Sequence, residues 1–269
     1  PNAALDTDNG EIARSYYQLA GIPAAAYNWA DPALPYDNPS LPFPETDRLG
    51  RCVDLYVMPH ADPTWSTHLS LRDFNEDGGF IWAACHAVSI LENIDDPVDP
   101  GTDPDLNFLS VAGLVLYGSH GDGSPPYAYA PVGSDPILQF LGVLDSATQN
   151  GSEQIYLPKA GGWRPTTTIL VWDQDHYQVP SLSPGEASVL AYGRGFGDPA
   201  SGLVMYEAGH DHTKGTATAV VAAIRAFLNL HLLAGIERRI AVEVSAPETI
   251  MQGVPIAVSV TASGGSGSY

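Results

Sequence analysis

Residues 78–94 read Gly-Gly-Phe-Ile-Trp-Ala-Ala-Cys-His-Ala-Val-Ser-Ile-Leu-Glu-Asn-Ile. Positions 79–84 are a continuous apolar run, which predicts a short strand buried on both faces. Residues 86–92 then begin a helix. Ala83, Ala84 and Ala87 flank Cys85 and His86 with small side chains, as a tight strand-to-helix turn requires. A side chain on such a turn stands at the top of a sheet, beside the free N–H groups and positive dipole end of the helix. That environment lowers the pKa of a thiol, so Cys85 is a candidate nucleophile. The competing reading is a small buried hydrophobe with no chemistry.

The same arrangement recurs outward from this elbow. Residues 53–58, 111–117, 166–172, 187–192 and 202–207 read as strands, and 24–29 as a weaker one. Helices are expected over 10–20, 67–75, 136–144 and 216–234, the last closed by Gly235. Buried strands separated by helices predict an α/β domain, with a flavodoxin-like, mostly parallel sheet covered by helices on both faces. Such sheets place function beyond the carboxyl ends of their strands. His60, Cys85, His86, His120, His210 and His212 each follow a predicted strand.

Composition bounds the function. The 269 residues allow one large domain, 1–238, and a fragment of a second, 239–269. The net charge of −20 argues against nucleic acid, which needs a basic patch. It suits a solvated acidic surface or hard cations. No uninterrupted apolar run reaches membrane-spanning length, because Arg225, Asn229 and His231 interrupt the longest apolar stretch, 217–236. The chain reads as an extracellular or cell-surface protein of bacterial type.

Together, AACHAVSIL (83–91), GLVMYEAGHDH (202–212) and VDLYVMPHADPTW (53–65) carry a resemblance. The first resembles the cysteine elbow of the class I glutamine amidotransferase-like superfamily, in its PfpI-type branch, where histidine follows the cysteine. The second is similar to the strand and Gly-His ending of ThuA-like proteins, and the third to the strand before the elbow. Across 11–236 the resemblance implies that Cys85 is a nucleophile, with His86 or His210 as its base. Where amidotransferases place His-x-Glu, this chain has His210-Asp211-His212, and it has Ala where their elbow often has Gly.

The histidines permit another chemistry. His60, His120, His210 and His212, with Asp211 or Asp62, could hold a transition metal, although a loop histidine is more often simply hydrogen-bonded. Asp95, Asp96, Asp99, Asp103 and Asp105 form a candidate calcium loop without EF-hand spacing, or an ordinary solvated loop. A Cys52–Cys85 disulfide competes with two free thiols. Cys52 precedes its strand and Cys85 follows its own, so parallel neighbouring strands would part them by ~20 Å. The Asn150-Gly-Ser sequon is read as idle.

Residues 240–262 alternate with period two and look like the opening of an Ig-like domain, a short all-β tail. Residues 1–8 show little strand character. Both ends suggest a trimmed chain or a fibre subunit, in which 240–269 would pair with another copy. Three functions follow: a structural or interaction module of an exported surface protein or filament, a cysteine hydrolase or amidotransferase-like enzyme, and a ThuA-like carbohydrate module. For the last, Trp29, Trp65, Trp82, Trp163 and Trp172 would include sugar-stacking residues.

Overall fold

The computed structural model describes residues 2–6, 9–29, 52–60, 69–92, 106–115, 123–131, 133, 135–140, 142–175, 184–237, 241–245 and 259–263. The chain opens with strand β1 (Ala3–Leu5) and helix α1 (Gly10–Leu19). Strand β2 (Tyr27–Trp29), strand β3 (Leu55–Met58) and helix α2 (Leu69–Glu76) follow. The elbow is strand β4 (Phe80–Ala84) and helix α3 (Ala87–Leu91). Next come β5 (Ala128–Tyr129), β6 (Thr168–Trp172), β7 (Ser188–Arg194) and β8 (Leu203–Glu207), then the long helix α4 (Ala217–Glu237). Finally β9 (Ala241–Ser245) and β10 (Ser259–Ser263) pair antiparallel in a sheet of their own.

The main sheet has eight strands in the order β2-β1-β3-β4-β8-β7-β6-β5. The fold is α/β, but the sheet is mixed rather than mostly parallel. From β2 to β8 every pairing is parallel. From β8 to β5 every pairing is antiparallel. Only a tight connection containing the Gly195–Gly197 turn separates β7 from β8, too short for the crossover that a parallel pair needs.

Strand alternation sorts the core into two faces. Trp82 and Met205 face one another in register on one side. There Trp82 packs edge-on against Tyr16 of α1 and Phe227 of α4, with ring centroids 6.2 and 4.8 Å apart. On the other side Tyr206 donates to Glu92, the residue that ends α3. Helix α4 is long and apolar enough to cross a bilayer by composition, but its inner side, including Ala223, Phe227 and Leu230, is buried in this core.

Three local expectations fail for identifiable reasons. The 1–8 segment does contain a strand: β1 is only Ala-Ala-Leu, too short to signal itself, and it forms because β2 and β3 pair with it on both sides. Residues 111–115 of the expected 111–117 strand make only the isolated bridge at Leu114, beside another at Ser110. Glu92 takes the N–H of Leu109 and of Ser110, diverting both donors from a ladder. The expected 136–144 helix is limited to a turn in its described residues. Asp135 accepts from the N–H of Ile137 and Leu138, but Gly142 turns left-handed at φ 90°. Residues 116 and 117 lie outside the described residues.

Candidate functional site

The elbow has the predicted form. β4 ends at Ala84, α3 starts at Ala87, and Cys85 between them sits at φ 50°. A non-glycine residue there carries strain of about 1 kcal/mol or more, so the surroundings must hold it. The N–H of Val88 bonds the Cys85 carbonyl at 3.3 Å, and the N–H of Ser89 bonds that of His86 at 2.9 Å. The Tyr156 hydroxyl donates to the Glu207 carbonyl at 3.1 Å and lies 3.5 Å from that of Cys85, tying together the ends of β4 and β8.

Around this turn, three adjacent parallel strands deliver their following residues to one place. His60 follows β3, Cys85 and His86 follow β4, and His210 follows β8. The His60 ring lies 4.0 Å from that of His210 and 4.8 Å from that of His86, between centroids. The ligand atoms of His60, Cys85 and His210 all lie within 4.8 Å of one another. Those of Cys85, His86 and Glu153 do the same.

Glu153 is the residue that the sequence reading missed. It is buried, and its Oε2 accepts from Cys85 Sγ at 3.2 Å and from Ser152 Oγ at 2.9 Å. His86 Nε2 lies 2.6 Å from the same oxygen and 2.6 Å from Ser152 Oγ. Backbone bonds fix the loop: Gly209 N–H donates to the Glu153 carbonyl at 2.9 Å, and His210 N–H to that of Asn150. Gly151 sits between them at φ 136°, where an added Cβ would lie 2.8 Å from His210 Cβ and 3.2 Å from Cys85 Sγ. The only sequence signal was a carboxylate just after the Asn-Gly-Ser turn, and it has no periodicity.

The expected lowering of the thiol pKa does not occur. Burial, then the charge of Glu153, pushes Cys85 up to about 12. The backbone N–H groups of Glu153 and His86 work in the opposite direction. Helix α3 has only five residues, so its dipole is small against the cost of desolvating a thiolate. Cys85 at rest is a neutral thiol.

His212 does not join this group. Asp211 accepts from the Thr213 N–H and starts a short turn, and His212 enters the Trp82 face of the core. Its ring stacks on Tyr16 at 5.4 Å, and its Nε2 lies 3.6 Å from Glu207 Oε2. Glu207 is itself bonded by Trp82 Nε1 at 3.2 Å. Burial lowers His212 to about 4 and raises Glu207 well above the usual carboxylate range, so this is a neutral pair. It is no part of a histidine metal set. His120, Asp62 and the 93–105 aspartates lie outside the described residues. Both cysteines are free, Cys52 exposed before β3 and Cys85 buried after β4.

The chain matches no family model and no curated protein. Among solved structures, one match is a crystal structure described as a ThuA-like protein from Bacteroides uniformis. It has a TM-score of 0.49 and 13% identity, over 85% of this chain and 90% of that one. At that identity the likeness concerns the fold alone and assigns no residue a role.

Proposed function

We propose that this domain is a cysteine hydrolase acting by acyl transfer, with Cys85 as nucleophile. The observation that carries this reading is the left-handed turn at Cys85, which presents its sulfur to the Glu153–His86 pair. Such pairing, a nucleophile bonded to an acceptor that a third group orients, is the general pattern of covalent catalysis. A resting thiol needs this acceptor, because it must lose its proton as it attacks. The proton passes along the Sγ–Oε2 hydrogen bond to Glu153, which His86 orients. The sulfur bonds to the carbonyl carbon, the C–N or C–O bond breaks, and the leaving group takes that proton from Glu153. Glu153 then takes a proton from the water that hydrolyses the thioester and returns it to the sulfur, restoring the thiol. In this reading the parallel half of the sheet is a flavodoxin-like, ThuA-like core.

A panel of small esters and amides, glutamine included, tests the reading with the wild type and Cys85→Ala. A fall of about 10²-fold or more is expected for the variant. An unchanged rate refutes a nucleophilic Cys85.

The full burial of the sulfur favours a second reading, in which the elbow is a retained but inactive part of an exported surface module. There the β9–β10 pair would open an Ig-like region. Native alkylation separates the two readings: an inactive elbow leaves Cys85 unlabelled while exposed Cys52 reacts, and an active one labels both.

A further inference from the structure

We propose that His60, Cys85 and His210 form a binding site for one divalent transition-metal ion of the zinc type. The site differs in membership from the histidine set expected from sequence, and it does not depend on hydrolysis.

The geometry is close to that of a tetrahedral site. With bonds of about 2.0–2.3 Å, zinc ligands stand ~3.3–3.8 Å apart. The His60, Cys85 and His210 ligand atoms already lie within 4.8 Å of one another, so a contraction of about 1 Å closes the site. Glu153 Oε2 lies 3.2 Å from the sulfur but groups with Cys85 and His86 rather than with His60 and His210, so its carboxylate flanks the site from the outer side of the sulfur. His86 stays on Glu153 at 2.6 Å and holds that carboxylate beside the thiolate, as an outer partner does in metal sites.

Charge and ligand type point the same way. The His60 ring contacts that of His210, so two imidazole nitrogens stand beside the Cys85 sulfur, the donor types that zinc sites use. A thiolate and a carboxylate together neutralise a divalent ion, which suits a buried position. Nitrogen and sulfur donors select zinc or cobalt over calcium or magnesium. Binding breaks the S–H bond: the sulfur gives its electron pair to the ion, and the proton leaves to solvent. A metal-bound sulfur is not free to attack a carbonyl. Where the nucleophile reading holds, zinc therefore inhibits, and this consequence alone rests on that reading.

The test titrates the chelator-treated full chain with cobalt(II) at neutral pH. One equivalent should bind, with a thiolate-to-cobalt charge-transfer band and the intense visible bands of a tetrahedral ion. Cys85→Ser should remove the charge-transfer band, and His60→Gln should weaken binding at least tenfold. Gly151→Ala, which displaces His210 from the sulfur, should also weaken it, whereas His231→Gln should not. A second measurement uses the wild type alone, so that misfolded variants cannot decide the matter. Zinc should slow alkylation of Cys85 at least tenfold and leave Cys52 unchanged. The proposal is overturned by absence of the charge-transfer band, or by Cys85 that labels without zinc and labels equally fast with it; where Cys85 does not label at all, the cobalt band alone decides. Metal binding without ester or amide turnover would refute the hydrolase and leave the metal site standing. Turnover without metal binding would do the reverse.

Discussion

At the residue scale, the site depends on one backbone torsion. Cys85 at φ 50° directs its sulfur into the space bounded by Glu153 and Gly151. A small side chain tolerates this conformation, but a β-branched one does not. Cys85→Ala should therefore cost about 1 kcal/mol of unfolding free energy, and Cys85→Val about 3 kcal/mol. Urea unfolding of both variants measures the difference; equal costs would mean that the turn relaxes out of the left-handed region. Cys85, His86, His60 and His210 were legible because each lies within three residues of the end of an apolar strand, and parallel neighbours place such residues at one edge. Glu153 was not legible, because its position comes from a backbone bond to Gly209, and an irregular loop leaves no repeating pattern. His212 shares the same edge in sequence, yet the turn begun by Asp211 sends it into the core. Two residues of spacing could not show that reversal.

At the element scale, the site rests on the β4–β8 pair, where the parallel and antiparallel halves of the sheet meet. At the opposite end of these strands Asn75, at the end of α2, joins them. Its Nδ2 donates to the Gly79 carbonyl at 2.9 Å and to that of Gly202 at 3.0 Å. Its own carbonyl accepts from the Gly202 N–H at 2.8 Å. The strands approach so closely there that a Cβ on Gly202 would lie 2.0 Å from the Gly79 carbonyl oxygen. Asn75→Leu removes two buried hydrogen bonds, those to the Gly79 and Gly202 carbonyls, although the latter keeps the Gly195 N–H. It should cost about 2–4 kcal/mol in chemical denaturation, whereas Glu76→Leu next to it should cost little. A small loss in Asn75→Leu would mean that the β4–β8 pair does not need this link. Central strands such as β4 and β8 were readable from their apolar runs. Residues 111–115 belong to the same kind of run yet make only an isolated bridge at Leu114, because the carboxylate of Glu92 takes the N–H groups of the neighbouring Leu109 and Ser110. A hydrophobic run reports burial, and burial alone does not distinguish a ladder from a carboxylate-anchored loop.

At the scale of the whole molecule, acid acts through buried groups rather than through the surface charge alone. His231 of α4 is buried beneath Tyr17 of α1, whose hydroxyl lies 3.0 Å from its Nδ1. Burial lowers its pKa from 6.5 to about 4. The unfolded chain thus takes up a proton below 6.5, and the folded chain does not do so until about 4. Stability from this group is complete above the unfolded value and falls as pH drops through the window, by up to about 1.4 kcal/mol per unit. Glu207 has the opposite sign. Its raised pKa keeps the folded form protonated where the unfolded form ionises, so its contribution falls as pH rises above the ordinary carboxylate value. The two effects overlap in the wild type, and a difference measurement separates them. His231→Gln removes the histidine term and leaves Glu207 in place. The stability gap between wild type and variant should narrow by about 2 kcal/mol between pH 6.5 and 4.5, as read from urea unfolding at each pH. A gap that stays constant across that window would mean that His231 gains its proton equally in the folded and unfolded chain, and that the α1–α4 contact is open to water.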